Sequence, residues 1–328
     1  MREPRIKVPA ETGEAIYHCT SRVVGGERLL DAPAREVFRR QMWVLVEFCG
    51  VELVTYDLLS NHVHLLVHVP QKTVVPDPEL VRRYALRHPG SDRRRARQLR
   101  SIQAMLERND EAAGTWRRQQ LAMMGDISPF MQLLKQGFTV WYNRTHHRFG
   151  TFWAERFGSE LVEHARDSAA VVAAYVDLNC VRAGLVRDPK DYRFCGYAEA
   201  VAGNRQAQRS LAWALGLADW AEVQAAYRQR LFGTAAAPRE QAASVTAQQL
   251  QAVLAANGHL PLAEVLRCRI RYLSAGMVLG GRAFVQQQLA AHQARTGRGG
   301  RREPWMLPAF TDWGELAIRH RLRGPAFG

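Results

Sequence analysis

The sequence predicts an α+β fold: an antiparallel, ferredoxin-like βαββαβ sheet with a helical insertion and a helical C-terminal extension. Three observations carry this expectation. A strand-helix-strand-strand order is legible over residues 14–70, a helix and a further strand follow at 128–162, and an arginine-rich helical stretch at 71–127 separates them. A length of 328 residues and 47% hydrophobic content suffice for one large or two ordinary packed domains.

Residues 14–23 form the first predicted strand, with Gly25-Gly26 as its turn. Val37, Phe38, Met42, Leu45, Val46 and Cys49 recur at helical spacing, which predicts a helix over 34–50 with one apolar face. Residues 51–59 are strand-like. The next strand is Leu59-Ser-Asn-His-Val-His-Leu-Leu-Val-His-Val-Pro70, with Val63, Leu65 and Val67 on one face and His62, His64 and His68 on the other. Asp77-Pro78 starts the insertion. Ser128-Pro129 predicts the N-terminus of a helix to about Thr145. A loop over 150–156 leads to a last strand at 157–162, and Asp167-Ser168 caps a helix to about Val186, stopped by Asp188-Pro189. These elements make a domain of residues 1–203. Residues 204–328 form the extension, with Thr234-Ala-Ala-Ala-Pro238 as linker, short helices over 244–292 and a flexible basic loop at 296–303.

The 45 Lys and Arg against 31 Asp and Glu give a net charge of +14, which points to a polyanionic partner. Nucleic acid leads over an anionic membrane, because no apolar run approaches the roughly 18 residues of a spanning helix. The N-terminal residues lack the apolar core of a signal peptide. Five scattered cysteines with no Cys-x-x-Cys pair fit a reducing cytoplasm and argue against a structural zinc cluster. In the insertion, Arg93, Arg94, Arg95, Arg97 and Arg100 make either a DNA-contacting surface or a solvated charged face.

Side chains two apart on a strand point the same way, so His62 and His64 present two imidazoles side by side. Such a pair is either packed in the fold or a divalent-metal site. A hundred residues on, Tyr175 and Asn179 fall four apart on one helix face. Two imidazoles and an amide oxygen suit Mg²⁺ or Mn²⁺ holding a phosphate, whereas a closed zinc site adds Cys or another His. A phenol is almost wholly protonated at neutral pH and becomes a useful nucleophile only beside a stabilising cation.

Six ordered stretches then resemble a known family. They are Tyr17-His18, Ser60-Asn-His-Val-His-Leu-Leu66, Lys135-Gln-Gly-Phe-Thr-Val-Trp-Tyr-Asn143, Gly150-Thr-Phe-Trp-Ala-Glu-Arg-Phe157, Tyr175-Val-Asp-Leu-Asn-Cys-Val-Arg-Ala183 and Asp191-Tyr-Arg-Phe-Cys-Gly-Tyr197. Together they resemble the motifs of single-tyrosine HUH transposases, in particular the REP-associated tyrosine transposases, over about residues 12–203. The resemblance implies an enzyme that nicks single-stranded DNA beside a hairpin and forms a 5′-phosphotyrosine, which a freed 3′-hydroxyl later reverses. It implies Tyr175 as nucleophile, and His62, His64 and Asn179 as ligands of Mg²⁺ or Mn²⁺. The partner implied is single-stranded DNA, with hairpin-forming repeats.

The chain departs from that pattern at Cys180 and Ser60, where the family usually has proline. Tyr142 is a rival nucleophile, and His146-His147 read as surface residues at a helix end. Residues 266–285 resemble a tail segment of one subgroup and also read as a helix-turn-helix. Three other readings stay open: a DNA-hairpin-binding protein with weak or no catalysis, a replication or mobilisation HUH nuclease, and a metal hydrolase of small molecules. Monomer and homodimer fit the sequence equally.

Overall fold

The histidine strand sits inside a four-stranded antiparallel sheet whose pleat sorts its residues onto two unlike faces. The computed structural model describes residues 5–88, 93–164, 168–233, 258–275, 277–297 and 303–322, together with 252 and 327. Strands β1 (Ala15–Arg22), β2 (Glu52–Leu58), β3 (His62–Val69) and β4 (Gly158–Val162) lie in the order β2-β3-β1-β4, each antiparallel to its neighbours. With helix α1 (Ala32–Cys49) between β1 and β2, this is the ferredoxin-like βαββαβ order read from the sequence. Register places Thr20 opposite His64, Arg22 opposite His62 and Asp57 opposite His64, so one face of the sheet is polar. The other face carries Val63, Leu65 and Val67, all fully buried.

Helix α1 begins where the Asp31 side chain accepts from the Ala34 amide and ends at Gly50 in the left-handed region, φ 64°. The insertion is helical as expected: α2 (Asp77–Arg87), α3 (Arg93–Arg108) and α4 (Glu111–Leu121) bury a small cluster of their own around Val81, Ile102, Leu106 and Ala113. Helix α5 (Ile127–Thr145) lies beside α1 on the apolar face, where Phe38 meets Phe138 edge-on with ring centres 5.2 Å apart. Its cap is Asp126, whose carboxylate accepts from the Ser128 amide; Ser128 is inside the helix, one residue past the start.

On the polar face runs α6 (Ser168–Asp177), every residue of it buried. A helix that is apolar all round can persist only inside the fold. The expected continuous helix to Val186 is instead broken at Leu178 (φ −81°, ψ 0°) and resumes as α7 (Asn179–Arg182). The Asp167 expected to cap α6 lies outside the described residues. The Asp57 carboxylate accepts from the Cys180 amide at 2.7 Å, a bond that the usual proline could not make.

After α8 (Gly196–Val201), α9 (Arg205–Leu215) and α10 (Trp220–Phe232), the expected linker at 234–238 lies outside the described residues. The extension contains α11 (Leu262–Val265), α12 (Tyr272–Ala275) and α13 (Arg282–Thr296), but it is not wholly helical. Strand β5 (Val278–Gly280) pairs in parallel with β4, and β7 (Ala317–Ile318) and β6 (Trp305–Met306) follow it, giving one seven-stranded sheet. The stretch read as a helix-turn-helix therefore holds a strand between its two helices. Gly280 is required there, because a Cβ would fall 2.6 Å from that of Glu163. No helix of the described residues is long and apolar enough to cross a membrane.

Candidate active site

Between the polar face of the sheet and α6–α7 opens a cavity of about 870 Å³. His62, His64, Tyr175 and Asn179 all line it. The two histidines come from β3, the tyrosine from α6 and the asparagine from the first residue of α7, so residues more than a hundred positions apart converge on one space. Tyr142 is not among the lining residues. It is buried against Phe138 and Phe152 and stacks on His146 at 4.0 Å, a packing role.

Hydrogen bonds fix which nitrogen of each imidazole carries its proton. The carbonyl of Leu273 can only accept, so the His18 Nδ1 that lies 2.8 Å from it must be the donor. His18 Nε2 is then an acceptor, and the His64 Nδ1 at 2.9 Å must donate to it. That leaves Nε2 of His64 with its lone pair. His62 is wired the same way: its Nδ1 lies 2.7 Å from Oδ1 of Asn61, whose amide nitrogen donates to the Gly26 carbonyl. Burial holds both rings neutral, pulling His62 down to about 4 and His64 well below its ordinary range; nearby charge, including Arg22 for both and Arg269 for His62, adds to this.

Two neutral imidazoles, each with Nε2 unprotonated, suit a divalent cation. Their ring centres are 5.2 Å apart, which fits two rings on one ion given metal–nitrogen bonds of about 2 Å. Among the described residues no group of three or more His, Cys, Asp or Glu side chains could hold a metal, so a third protein donor has to be of another kind. Asn179, in the lining of the same cavity, carries an amide oxygen that could serve. Its amide nitrogen donates to the Val176 carbonyl at 3.0 Å, which leaves Oδ1 as the atom able to ligate. His68, the third histidine of that face, is occupied elsewhere by Glu14, Glu52 and the stacked ring of Trp213.

The sequence reading assigned no role to Arg182, although it stands in one of the quoted stretches. Its guanidinium lies 4.1 Å from the centre of the Tyr175 ring and donates to the carbonyls of Tyr175 and Leu266, both at 2.6 Å. It thus fixes the tyrosine ring by a cation–π contact while holding the backbone on either side. Two residues on from Tyr175, at the start of the break, Asp177 accepts from Thr55, Cys195 and Tyr227 and from the Tyr197 amide. His18 also stands in a quoted stretch without an assigned role, though its strand has the same two-residue periodicity as the His62–His64 pair beside it.

Glu160 is the second buried acid of the site. Its carboxyl lies 3.4 Å from His18 Nδ1, yet the two are not an ion pair: burial raises the acid to about 8 and lowers His18 to about 4, so both are neutral at pH 7. An acid whose pKa is raised by folding stabilises the fold below its ordinary value of 4.5 and loses that contribution as pH rises toward about 8. Glu160→Gln removes the dependence. Thermal melts across that window should show the variant gaining on the wild type steadily as pH rises, and parallel curves would mean that Glu160 ionises freely in the fold.

Seven arginines line the cavity: Arg5, Arg22, Arg156, Arg182, Arg267, Arg269 and Arg271. Of the two acids in that lining Glu160 is neutral, which leaves Glu155 to oppose them. In the insertion, by contrast, Arg95 turns inward: it is buried and donates to the carbonyls of Tyr84 and Ala85, so it is a packing residue. Arg93, Arg94, Arg97 and Arg100 are exposed.

No family model matches the chain, and no curated protein does. Among solved structures it is similar to a REP-associated tyrosine transposase bound to a REP hairpin, at 15% identity and a TM-score of 0.38, over 62% of this chain and 87% of that one. A likeness at that score carries no argument; the site stands on its own geometry.

Proposed function

We propose that the protein is a transposase-like endonuclease that cleaves and rejoins hairpin-adjacent single-stranded DNA through a 5′-phosphotyrosine at Tyr175. The observation that carries this reading is the convergence of the two correctly wired imidazoles, Asn179 and Tyr175 on one arginine-rich cavity. The +14 charge favours a nucleic-acid substrate over a small molecule.

In the proposed reaction, the Tyr175 oxygen attacks a phosphodiester phosphorus and the P–O3′ bond breaks. The phenolic proton leaves, and the departing 3′ oxygen takes one up as a hydroxyl. The phosphodiester energy is kept in the phosphotyrosine, so the 3′-hydroxyl can reverse the step without ATP. Arg182 orients the ring and places a positive charge against it as the phenol loses its proton. Mg²⁺ or Mn²⁺ on His62, His64 and Asn179 would supply Lewis-acid polarisation of the phosphate. Arg93, Arg94, Arg97 and Arg100 of the insertion would add outlying phosphate contacts.

The test is incubation of the full chain with 3′-labelled hairpin-bearing strands from the DNA flanking its gene. A protein–DNA adduct on a denaturing gel, formed with Mg²⁺ or Mn²⁺ and absent in EDTA, is expected. Tight binding with no adduct would leave a hairpin-binding protein. The imidazole wiring adds a prediction of its own. His18→Leu removes the acceptor that fixes His64 and should lower Mn²⁺ affinity by about 10–100-fold, read by titration of the free ion's EPR signal. Unchanged affinity would mean His64 is no ligand.

A further inference from the structure

The C-terminal extension closes over the cavity with residues 266–275, and the burial of this segment alternates. Leu266, Cys268 and Ile270 are buried, whereas Arg267, Arg269 and Arg271 are half-buried or exposed and line the cavity. The apolar residues anchor the segment to the core while the arginines turn outward. Two side chains of the active site hold it in place. Arg182, seated on the Tyr175 ring, takes the Leu266 carbonyl at one end, and His18, bonded to His64, takes the Leu273 carbonyl at the other. The segment is thus fixed in position relative to both the tyrosine and the imidazole pair. Arg22 at the end of β1 and Arg156 in the loop before β4 line the same cavity. Among the described residues Arg22, Arg156, Arg267 and Arg269 make no ion pair.

We infer that this segment is the phosphate-gripping wall of the site, and that Arg267, Arg269 and Arg271 bind successive phosphates of a single nucleic-acid strand leading to Tyr175. One phosphate engages one or two guanidiniums, and so many around one open cavity call for a chain of phosphates. A duplex would present its charges across a wider surface than this trough. The inference rests on the proposed DNA-cleaving reading for where the strand leads, but the grip is measurable without cleavage.

The experiment uses the full-length protein, a fluorescent single-stranded oligodeoxynucleotide and its duplex, each titrated over a salt series. For Arg267→Gln/Arg269→Gln/Arg271→Gln, single-strand affinity should fall, and the slope of log K against log salt should flatten by about 0.7 for each phosphate no longer gripped. The exposed single change Arg269→Gln should show one such step, and its melting curve should match the wild type. Duplex binding should be unaffected. A single-strand slope unchanged in both variants overturns the inference, as does an equal loss for the duplex. If the wild type forms no adduct yet the slope flattens, the grip stands and the nuclease reading falls. If the adduct forms and the slope does not move, the grip alone falls.

Discussion

Tyr175→Phe should abolish the covalent protein–DNA adduct while leaving strand affinity within a few-fold of the wild type. The substitution removes one oxygen and keeps the ring, so the approach of Arg182 at 4.1 Å and the burial of the side chain persist. Binding and chemistry are thereby separated. Attack by the phenolic oxygen leaves the 3′ portion of the strand on the protein, so a 3′ label reports the adduct directly and a 5′ label reports the released fragment. Tyr142→Phe serves as the paired control. That ring packs against Phe138, Phe152 and His146 away from the cavity, and its variant should form adduct normally. Adduct retained in the first variant and lost in the second would move the nucleophile to Tyr142.

The second large effect is on stability. Asp177→Ala should destabilise the fold by about 3–5 kcal/mol, because it strips a shared acceptor from several buried groups at once. Asp177 ties three parts of the molecule together at the helix break: Thr55 on β2, Cys195 and the Tyr197 amide at the start of α8, and Tyr227 on α10. Each buried donor left unpaired costs about 1–3 kcal/mol, and the methyl group replaces none of them. Thermal melts should show a midpoint lower by on the order of 10 °C. A change under about 1 kcal/mol would mean that water takes over the acceptor's place. Asp177→Asn, which keeps the volume and one acceptor oxygen, should recover part of the loss.

The half of the fold that holds the candidate site was legible in the sequence because its signals are local. Alternation along β3 by itself separates Val63, Leu65 and Val67 from His62 and His64, and a four-residue helical spacing pairs Tyr175 with Asn179. The second deduction survived although its premise, one unbroken helix, did not. Tertiary bonds caused the break, since the Asp57 carboxylate takes the Cys180 amide and Asp177 gathers its donors from distant elements. The short strands β5, β6 and β7 were hidden for another reason. Each is two or three residues long, too short for any period to register; β5 pairs on the edge that β4 offers, and β7 and β6 add to it in turn. The run Leu266-Arg-Cys-Arg-Ile-Arg271 did carry a two-residue alternation, but a glycine-bearing turn between helical patterns was the stronger local signal.

The attachment of the wall to the site has a consequence for the timing of synthesis. Everything a nuclease would need for attack, from His62 to Arg182, leaves the ribosome well before Leu273, whose carbonyl fixes the His18 and His64 protons. The gap between residues 182 and 273 is 91 positions, about 5–18 s at ordinary elongation rates of roughly 5–20 residues per second. A nascent chain in that interval has its tyrosine but neither the proton arrangement nor the arginines of residues 267–271. On the proposed reading, cleavage would therefore await the folding of residues 266–273 onto the first strand.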